Sequence, residues 1–205
     1  MPEVLLATEN TRKLRELQEI TAGFPLRWRT LLEFSDTPPA IESGDTFPEN
    51  ARQKALHYAA ATGLFTLADD SGLEVDILGG APGVHSARYA GLPSDDAANN
   101  RKLLAALAGT PPEHRSARFR CAMAFVRPGE VLGESTGSVE GLIIAEPRGH
   151  NGFGYDPLFL IPALGKTAAE LQPDEKHALS HRGQALRAIL PQIEEWFRSQ
   201  GLWHA

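Results

Sequence analysis

Two adjacent aspartates, Asp69 and Asp70, follow the apolar run 64–68, which is typical of a buried strand. Neighbouring carboxylates repel each other, and burying them costs free energy unless a cation or a proton compensates their charge. Mg²⁺ is commonly bound by one or two carboxylates, and a carboxylate in such a position can also act as a general base. The pair therefore predicts a metal-binding or proton-accepting site at the carboxyl end of a strand, with Gly72 allowing a sharp turn just after it.

Polar residues near the starts of two predicted helices are suited to binding phosphate and metal. Thr8 and Asn10 can donate hydrogen bonds at the N-terminus of the first helix, which favours anions, and Lys13 adds a positive charge. Glu42 precedes a second helix, which carries Lys54. A carboxylate for a metal ion and a lysine for a phosphate suit a polyphosphate ligand. Either segment alone is equally typical of a capped surface helix.

A further group of aromatic and polar residues lies in the last third of the chain. Phe153 and Tyr155 offer flat faces for stacking, and Asp156 offers a hydrogen-bond acceptor. The donors that follow are Lys176, Ser180, His181 and Arg182. Stacking surfaces combined with a few fixed polar groups are how a pocket recognises a nucleobase. Together with the phosphate and metal groups, these residues predict a nucleotide site.

Three short motifs suggest other chemistry, and each fails on its context. "GESTG" (133–137) matches a nucleophile elbow, but the sequence after it predicts a strand where a helix is required. "GKT" (165–167) resembles the end of a P-loop, but Leu160 stands where the first glycine belongs. His177 and His181 have the spacing of a zinc helix but lack the adjacent glutamate. We therefore expect a turn, a helix cap and no zinc site.

The composition predicts a single domain over residues 1–205 and excludes several classes of protein. Hydrophobic residues make up 42% of the chain and charged residues 22%, as in ordinary globular proteins. The net charge of −6 argues against a nucleic-acid surface, and no apolar run is long enough to span a membrane. The N-terminus lacks the pattern of a signal peptide, so we expect a cytoplasmic protein. Cys121, the one cysteine, is expected to be a buried strand residue.

The elements that must position these residues alternate between strand and helix in the first third of the chain. Strands are predicted at 4–7, 25–32, 64–68, 117–126 and 158–161, with further β structure after 126 through residue 144. Helices are predicted at 11–22, 46–63, 94–108 and 178–199. Thr46 and Glu49 have the spacing of a capping box. Strands without intervening helices in the middle of the chain predict some antiparallel pairing, so the fold class is α/β with a mixed sheet.

Five segments together resemble the inosine/xanthosine triphosphate pyrophosphatases, also called XTP/dITP diphosphatases. They are "LLATENTRKLRELQEI", "ESGDTFPENARQKA", "ADDSGLEVDILGGAPGVHSARYAG", "GFGYDPLF" and "GKTAAELQPDEKHALSHRGQAL". The segments occur in the family's order and extend from residue 4 to about residue 190. The resemblance covers nearly the whole chain, and several of its motifs are long and specific.

The resemblance implies an elongated mixed β-sheet flanked by helices, with two lobes and a central active-site cleft. It also implies a homodimer, a requirement for Mg²⁺, and cleavage of a nucleoside triphosphate between its α and β phosphates. The implied substrates are the deaminated purine nucleotides ITP, dITP and XTP, which would be removed from the nucleotide pool as monophosphate and pyrophosphate.

The same resemblance implies roles for residues at matching positions. Asp70 matches the proton acceptor and a metal ligand, Glu42 matches the other metal carboxylate, and Asp69 is expected to hold the metal or to support its ligands. The positions matching phosphate-binding residues are Thr8, Asn10, Thr11, Arg12, Lys13 and Lys54. The positions matching substrate-binding residues are Ser71, Phe153, Gly154, Tyr155, Asp156, Lys176, His181 and Arg182.

Glu9 departs from the family pattern, which often has a small or uncharged residue there. A carboxylate close to a triphosphate would repel it, so we expect Glu9 to point toward solvent. Two alternatives share the same acids: a Mg²⁺-dependent phosphohydrolase of standard nucleotides, and a nucleotide-binding module without turnover.

Overall fold

The structure is a computed structural model that describes residues 1–203. Within them the chain forms seven strands and five α-helices, with short 3₁₀ turns between them. In chain order the elements are β1 (Glu3–Leu6), α1 (Thr11–Ile20), β2 (Arg27–Thr30), α2 (Phe47–Thr62), β3 (Phe65–Val75), α3 (Asp96–Ala106), β4 (Ser116–Arg127), β5 (Glu130–Ile143), β6 (Phe159–Ile161), β7 (Lys166–Thr167), α4 (Pro173–Leu179) and α5 (His181–Ser199).

The seven strands form one mixed sheet in the order β2-β1-β3-β4-β5-β6-β7. Strand β1 pairs in parallel with both β2 and β3, and helices α1 and α2 supply the crossovers that parallel neighbours require. At the other edge, β6 pairs antiparallel with β5 and with β7. The predicted α/β class with a mixed sheet is therefore confirmed.

The chain divides into two compact units. The first unit consists of residues 1–70, 121–137 and 182–203, and the second of residues 71–120 and 138–181. In the first unit, the apolar faces of α1 and α5 pack with strand residues such as Leu67 and Phe125, and Cys121 is buried among them as expected. In the second unit, Leu103 and Leu107 of α3 and its C-cap pack with Phe159 and other strand residues.

Strand β3 is longer than predicted, and this changes the position of the aspartate pair. The strand continues through Asp69 and Asp70 to Val75, so the two carboxylates lie inside the strand and not at its end. Gly72 also lies within the strand and makes no sharp turn. A β-carbon there would lie 2.4 Å from Ser86 Oγ and 2.6 Å from the Gly83 carbonyl oxygen, so the glycine allows a close approach of the chain.

Helix ends follow local capping chemistry, with two corrections to the prediction. The capping box of Thr46 and Glu49 begins α2 as predicted. Helix α3 is capped by Asp95, one residue after the predicted Ser94, whose hydroxyl instead donates to the Ala87 carbonyl. The predicted C-terminal helix 178–199 divides into the end of α4 and all of α5.

Two of the three short motifs that suggested other chemistry, "GESTG" and "GKT", have structural roles. Ser135 of "GESTG" lies within β5, and its hydroxyl donates to the Ala185 carbonyl oxygen at 2.7 Å. The strand–turn–helix context of a nucleophile elbow is therefore missing around it. Thr167 and Glu170 form a capping box for a short 3₁₀ turn, as predicted. Among the helices of the described residues, none combines the length and apolar character needed to cross a bilayer.

Candidate functional site

The N-terminus of α1 is ordered by the residues that were predicted to bind phosphate. Asn10 caps the helix, because its Oδ1 accepts hydrogen bonds from the backbone amides of Arg12 and Lys13 at 3.0 and 3.2 Å. Thr8 is buried, and its Oγ1 accepts from the Asn10 amide. The side chains of Thr11 and Arg12 are exposed on the first turn. Helix geometry thus directs Lys13 toward β3.

Asp69 is a buried carboxylate between two cations. Its Oδ2 lies 3.0 Å from Lys13 Nζ and 3.4 Å from Arg182 Nε. Burial alone would disfavour the charged form, but the positive charges of Lys13 and Arg182 outweigh it and lower the pKa of Asp69 well below its ordinary value. Asp69 therefore remains ionised.

Arg182, which is predicted to contact the nucleobase, forms ion pairs with two buried acids. Its side chain is 2% exposed and belongs to the first unit, where the guanidinium donates to Asp69 and to Glu16. The negative charges of those two carboxylates oppose the effect of burial and raise the pKa of Arg182 above its ordinary value. Its contact with a base stays a prediction.

Glu42 and Lys54 form an ion pair beside Asp70. Glu42 Oε1 lies 2.9 Å from Lys54 Nζ. Burial raises the pKa of Asp70; Lys13 and Lys54 oppose that rise, and the negative charges of Glu42 and Asp69 reinforce it. Asp70 is 7% exposed. The first unit therefore contains one carboxylate held ionised and one with an increased affinity for a proton.

The donor set of Glu42 and Asp70 fits a divalent cation. Mg²⁺ uses one or two carboxylates together with water and substrate phosphates. The mutual repulsion that raises the pKa of Asp70 would be relieved by a cation near both carboxylates. Within residues 1–203 no three His, Cys, Asp or Glu side chains converge as a metal-binding group. Asp69 forms ion pairs with Lys13 and Arg182, and its part in holding a metal or supporting the metal ligands stays a prediction.

Glu9 lies on the surface, in agreement with the expectation from its charge. Its side chain is exposed, and Oε1 accepts a hydrogen bond of 2.9 Å from the Tyr58 hydroxyl. Tyr58 is buried in α2 and also accepts from the Ala40 amide through its hydroxyl oxygen. This contact holds the Glu9 carboxylate against α2.

In the second unit, Asp156 organises the loop that was predicted to bind a base. Its Oδ2 accepts from the Phe153 amide at 2.8 Å and from Lys176 Nζ at 2.7 Å. Lys176 Nζ also lies 4.9 Å from the centroid of the Phe153 ring. Gly152 has φ +74°, and a β-carbon there would lie 2.1 Å from Asp156 Oδ2, so only glycine fits. Phe153, Asp156 and Lys176 are thus one connected group.

Tyr155, which is predicted to offer a stacking face, lies in the core of the second unit, and its contact with a ligand stays a prediction. It is 5% exposed and packs in the core of the second unit, where its hydroxyl donates to the Ser86 carbonyl oxygen at 2.8 Å. Burial, reinforced by the neighbouring Tyr89 and Asp96, raises its pKa. Phe153, in contrast, is half-buried. Ser71, the first residue of this unit, is half-buried in β3.

A pocket in the second unit has polar groups at one side of an apolar lining. It contains about 300 Å³ of empty space, including its open mouth. The polar lining residues are Asp156, Lys176, Ser180 and His181. The His181 ring stacks on Phe119, with centroids 5.0 Å apart and planes 17° from parallel. Three of the predicted base readers and Ser180 therefore line one concave surface.

Comparison with known proteins decides the family. The model of the Ham1 family matches residues 4–192. The chain belongs to the Ham1 family. Ham1 relatives named dITP/XTP pyrophosphatase include one from Thioalkalivibrio sulfidiphilus, 52% identical over 94% of this chain and 98% of that protein, and one from Desulforamulus reducens, 49% identical over 92% of this chain and 94% of that protein.

A solved Ham1 structure has the same fold. The HAM1 protein from Coxiella burnetii is 46% identical, and the alignment covers 95% of this chain and 100% of that one with a TM-score of 0.86. The family inferred from the five sequence segments is therefore confirmed.

Several residues that shape this Ham1 site were not identified from the sequence. Glu16 was missed although it is a charged residue on the buried face of α1, between Leu14 and Leu17. That placement is a detectable signal, because an acid on an apolar helix face needs a partner. Phe119, Asp96 and Asn100 were also missed. They contact site residues that are distant in sequence, and such contacts are not predicted by any local pattern.

Proposed function

We propose that this Ham1 family protein hydrolyses the deaminated purine nucleotides dITP, ITP and XTP to their monophosphates and pyrophosphate, in a reaction that requires Mg²⁺. One observation carries the proposal: in the first unit, the buried carboxylate Asp70 has a raised pKa and lies close to Glu42 and the cations Lys13 and Lys54. This is the chemistry needed to activate water beside a polyphosphate.

The broader activity agrees with the relatives. They are named dITP/XTP pyrophosphatases, and one solved relative is the nucleoside-triphosphatase / dITP/XTP pyrophosphatase from Mycobacterium abscessus. The chain is accordingly a nucleoside-triphosphate pyrophosphatase, a hydrolase acting on phosphoric anhydrides, with a nucleoside triphosphate as its substrate. Mg²⁺ as the specific ion and ITP as a substrate belong to the proposal.

In the proposed reaction, Asp70 accepts a proton from a water molecule whose oxygen attacks the α-phosphorus. A bond forms between that oxygen and phosphorus, and the bond from phosphorus to the bridging oxygen breaks, so pyrophosphate leaves with the bonding electrons. Asp70 is buried beside Glu42, Lys13 and Lys54, so its carboxylate is placed next to the site proposed for the phosphates. Lys13 and Lys54 attract the phosphates, and the first turn of α1 with Thr11 and Arg12 adds donors suited to an anion.

Glu42 and Asp70 are the residues that would hold Mg²⁺. When bound, the ion supplies charge neutralisation on the phosphate oxygens. Asp69 is proposed in a supporting role, because its ion pairs with Lys13 and Arg182 fix the strand segment that carries Asp70.

The base is proposed to bind in the pocket of the second unit. Hypoxanthine and xanthine carry a C6 oxygen, whereas adenine carries an amino group there. The donors Lys176 and His181 line this pocket and favour an acceptor at that position. A ligand that leaves such buried groups unsatisfied is rejected by up to ~10⁴–10⁵-fold. Phe153 supplies the stacking face, and Ser71 and Gly154 are proposed to contact the same nucleotide.

The homodimer remains a prediction from the family resemblance, and the cytoplasmic location remains a prediction from the sequence of the N-terminus. Size-exclusion chromatography with light scattering distinguishes a dimer of about twice the 22.2 kDa chain from a monomer.

The test of the proposed function is pyrophosphate release from dITP, XTP, ITP, GTP and ATP, measured with Mg²⁺ and with a chelator. We expect fast release from the first three, much slower release from GTP and ATP, and loss of activity on chelation. Equal rates on all five would exclude the base selectivity. Release of phosphate instead of pyrophosphate would exclude attack at the α-phosphorus.

A further inference from the structure

Helix α3 carries three polar side chains that bond to loops of the second unit. Asp96, Asn99 and Asn100 have i, i+3 and i+4 spacing, so they lie on neighbouring positions of one helix face. Asp96 and Asn100 both contact Gly154, which lies between Phe153 and Tyr155. The helix itself is fixed, because it is capped by Asp95 and anchored by the fully buried Leu103.

Asp96 and Asn100 form hydrogen bonds with both backbone polar groups of Gly154. The Gly154 amide donates to Asp96 Oδ2 at 3.0 Å, and the Gly154 carbonyl oxygen accepts from Asn100 Nδ2 at 3.0 Å. Gly154 has φ +62° and no side chain, so its backbone groups are the only means of fixing it. Tyr155, the residue after Gly154, is anchored by the hydrogen bond from its hydroxyl to the Ser86 carbonyl oxygen.

The amide of Asn100 is oriented at a cost. Its Oδ1 is buried and accepts no hydrogen bond from the described residues, while its Nδ2 donates to Gly154. A buried acceptor without a donor is unfavourable, by about 1–3 kcal/mol in typical cases. The orientation of the Asn100 amide therefore preserves the hydrogen bond from Nδ2 to the Gly154 carbonyl oxygen, although Oδ1 is left unsatisfied.

We infer that Asp96 and Asn100 are positioning residues for base recognition, acting through Gly154 on Phe153 and on the Asp156–Lys176 pair. The inference rests on the proposed function, which places the base at these residues. Phe153 and Asp156 lie one and two positions from Gly154, and the Phe153 amide is bonded to Asp156. A shift of Gly154 therefore moves the stacking ring and the carboxylate that orients Lys176 together.

The prediction is tested by removing each of the two contacts to Gly154. Asn100→Asp replaces the donor facing the Gly154 carbonyl by an acceptor, which repels it. Asp96→Ala removes the acceptor of the Gly154 amide. For both variants we expect a KM for dITP raised by about tenfold and a dITP-to-dGTP selectivity lowered by a similar factor, since misplacement of positioning groups is costly.

Asn99→Ala is the matched control. Asn99 is buried on the same helix and also bonds two backbone groups, donating to the Ala87 carbonyl and accepting from the Ala90 amide. Those groups lie outside the proposed base site. Asn99→Ala is therefore expected to lower the melting temperature while leaving selectivity unchanged. Asn100→Ala is measured in parallel and carries the test if the aspartate variant does not fold.

The outcomes separate this inference from the proposed function. If the wild-type chain prefers dITP and the Asn100 variants keep its KM and selectivity, the inference is wrong and the proposed function stands. If Asn99→Ala loses selectivity as strongly as Asn100→Asp, the effect is one of general stability and the inference is also wrong. A wild-type chain without preference among bases overturns the proposed function itself.

Discussion

At the scale of single residues, the two adjacent aspartates differ because of their neighbours. Asp69 faces Lys13 and Arg182, which lower its pKa, whereas burial raises the pKa of Asp70. Two identical side chains in sequence thus acquire different chemistry, one as an ionised partner of cations and one with a higher affinity for a proton. Environments that push two pKa values apart are a common feature of acid–base sites.

Asp70→Asn is expected to reduce kcat for dITP by about 10²–10⁴-fold, because the amide cannot accept the proton from water. The measurement is pyrophosphate release at saturating dITP and Mg²⁺, with circular dichroism to verify folding. Asp36→Asn, an exposed aspartate in the loop before α2, is the control and should retain wild-type turnover. Turnover of Asp70→Asn within threefold of wild type would contradict its assignment as the proton acceptor.

Arg182→Ala is expected to lower the free energy of unfolding by about 3–5 kcal/mol, because it leaves the buried carboxylates of Glu16 and Asp69 without this cation. Urea unfolding measures the change, and Arg187→Ala, exposed on the same helix, is the control. A stable Arg182→Ala variant that loses only base selectivity would show that Arg182 acts in base recognition and not mainly as a partner of the buried acids.

Cys121 is expected to be unreactive in the native protein. Burial raises its pKa to about 12, and the nearby Asp69 charge acts in the same direction. In guanidinium at pH 8, a disulfide reagent should modify the one thiol of the chain at once. Without guanidinium, modification should occur only when the native fold opens. Rapid modification of fully active enzyme would show that β4 is accessible.

At the scale of elements, β3 carries the functional residues because it continues beyond the aspartates. The strand contributes Asp69 and Asp70 to the first unit, and Ser71 and Gly72 to the second. The acids sit in the interior of a paired strand, where backbone hydrogen bonding limits their movement. Rigid elements place reacting groups more accurately than loops do.

Gly72→Ala is expected to destabilise the protein by about 1–3 kcal/mol, because the new methyl group meets Ser86 and the Gly83 backbone. Gly133→Ala is the matched control in β5, where the added carbon meets only the flexible end of Gln192. Melting temperatures of the two variants provide the comparison. Equal stability of both would show that the chain near Gly83 moves freely to make room.

At the scale of the whole molecule, the proposed reaction links stability to nucleotide and metal. A ligand that binds only the native state at 100 times its Kd stabilises it by about 2.7 kcal/mol, which raises Tm by about 5–11 °C for a chain of this size. We expect this shift with Mg²⁺ and an α,β-methylene analogue of dITP, and a much smaller one with a chelator. An equal shift from the ATP analogue would contradict selective base binding.

The sequence by itself determined the features that depend on near neighbours. Apolar periodicity located the elements, and the capping box of Thr46 and Glu49 marked the start of α2, because these signals depend on residues within about four positions. Family motifs extending over most of the chain indicated the fold class and the acids around Asp70. The α/β assignment and the Ham1 family followed from these local patterns.

Only the tertiary structure decided which charges meet. Lys13 and Arg182 reach Asp69 across 56 and 113 positions of the chain, and Tyr155 turns inward to Ser86 across 69. Partners so distant leave no periodic signal, because side-chain pairing depends on how strands and helices pack. For this reason the acids were proposed from the sequence. The ion pairs of Arg182 and the hydrogen bonds from α3 to Gly154 became evident only from the folded chain.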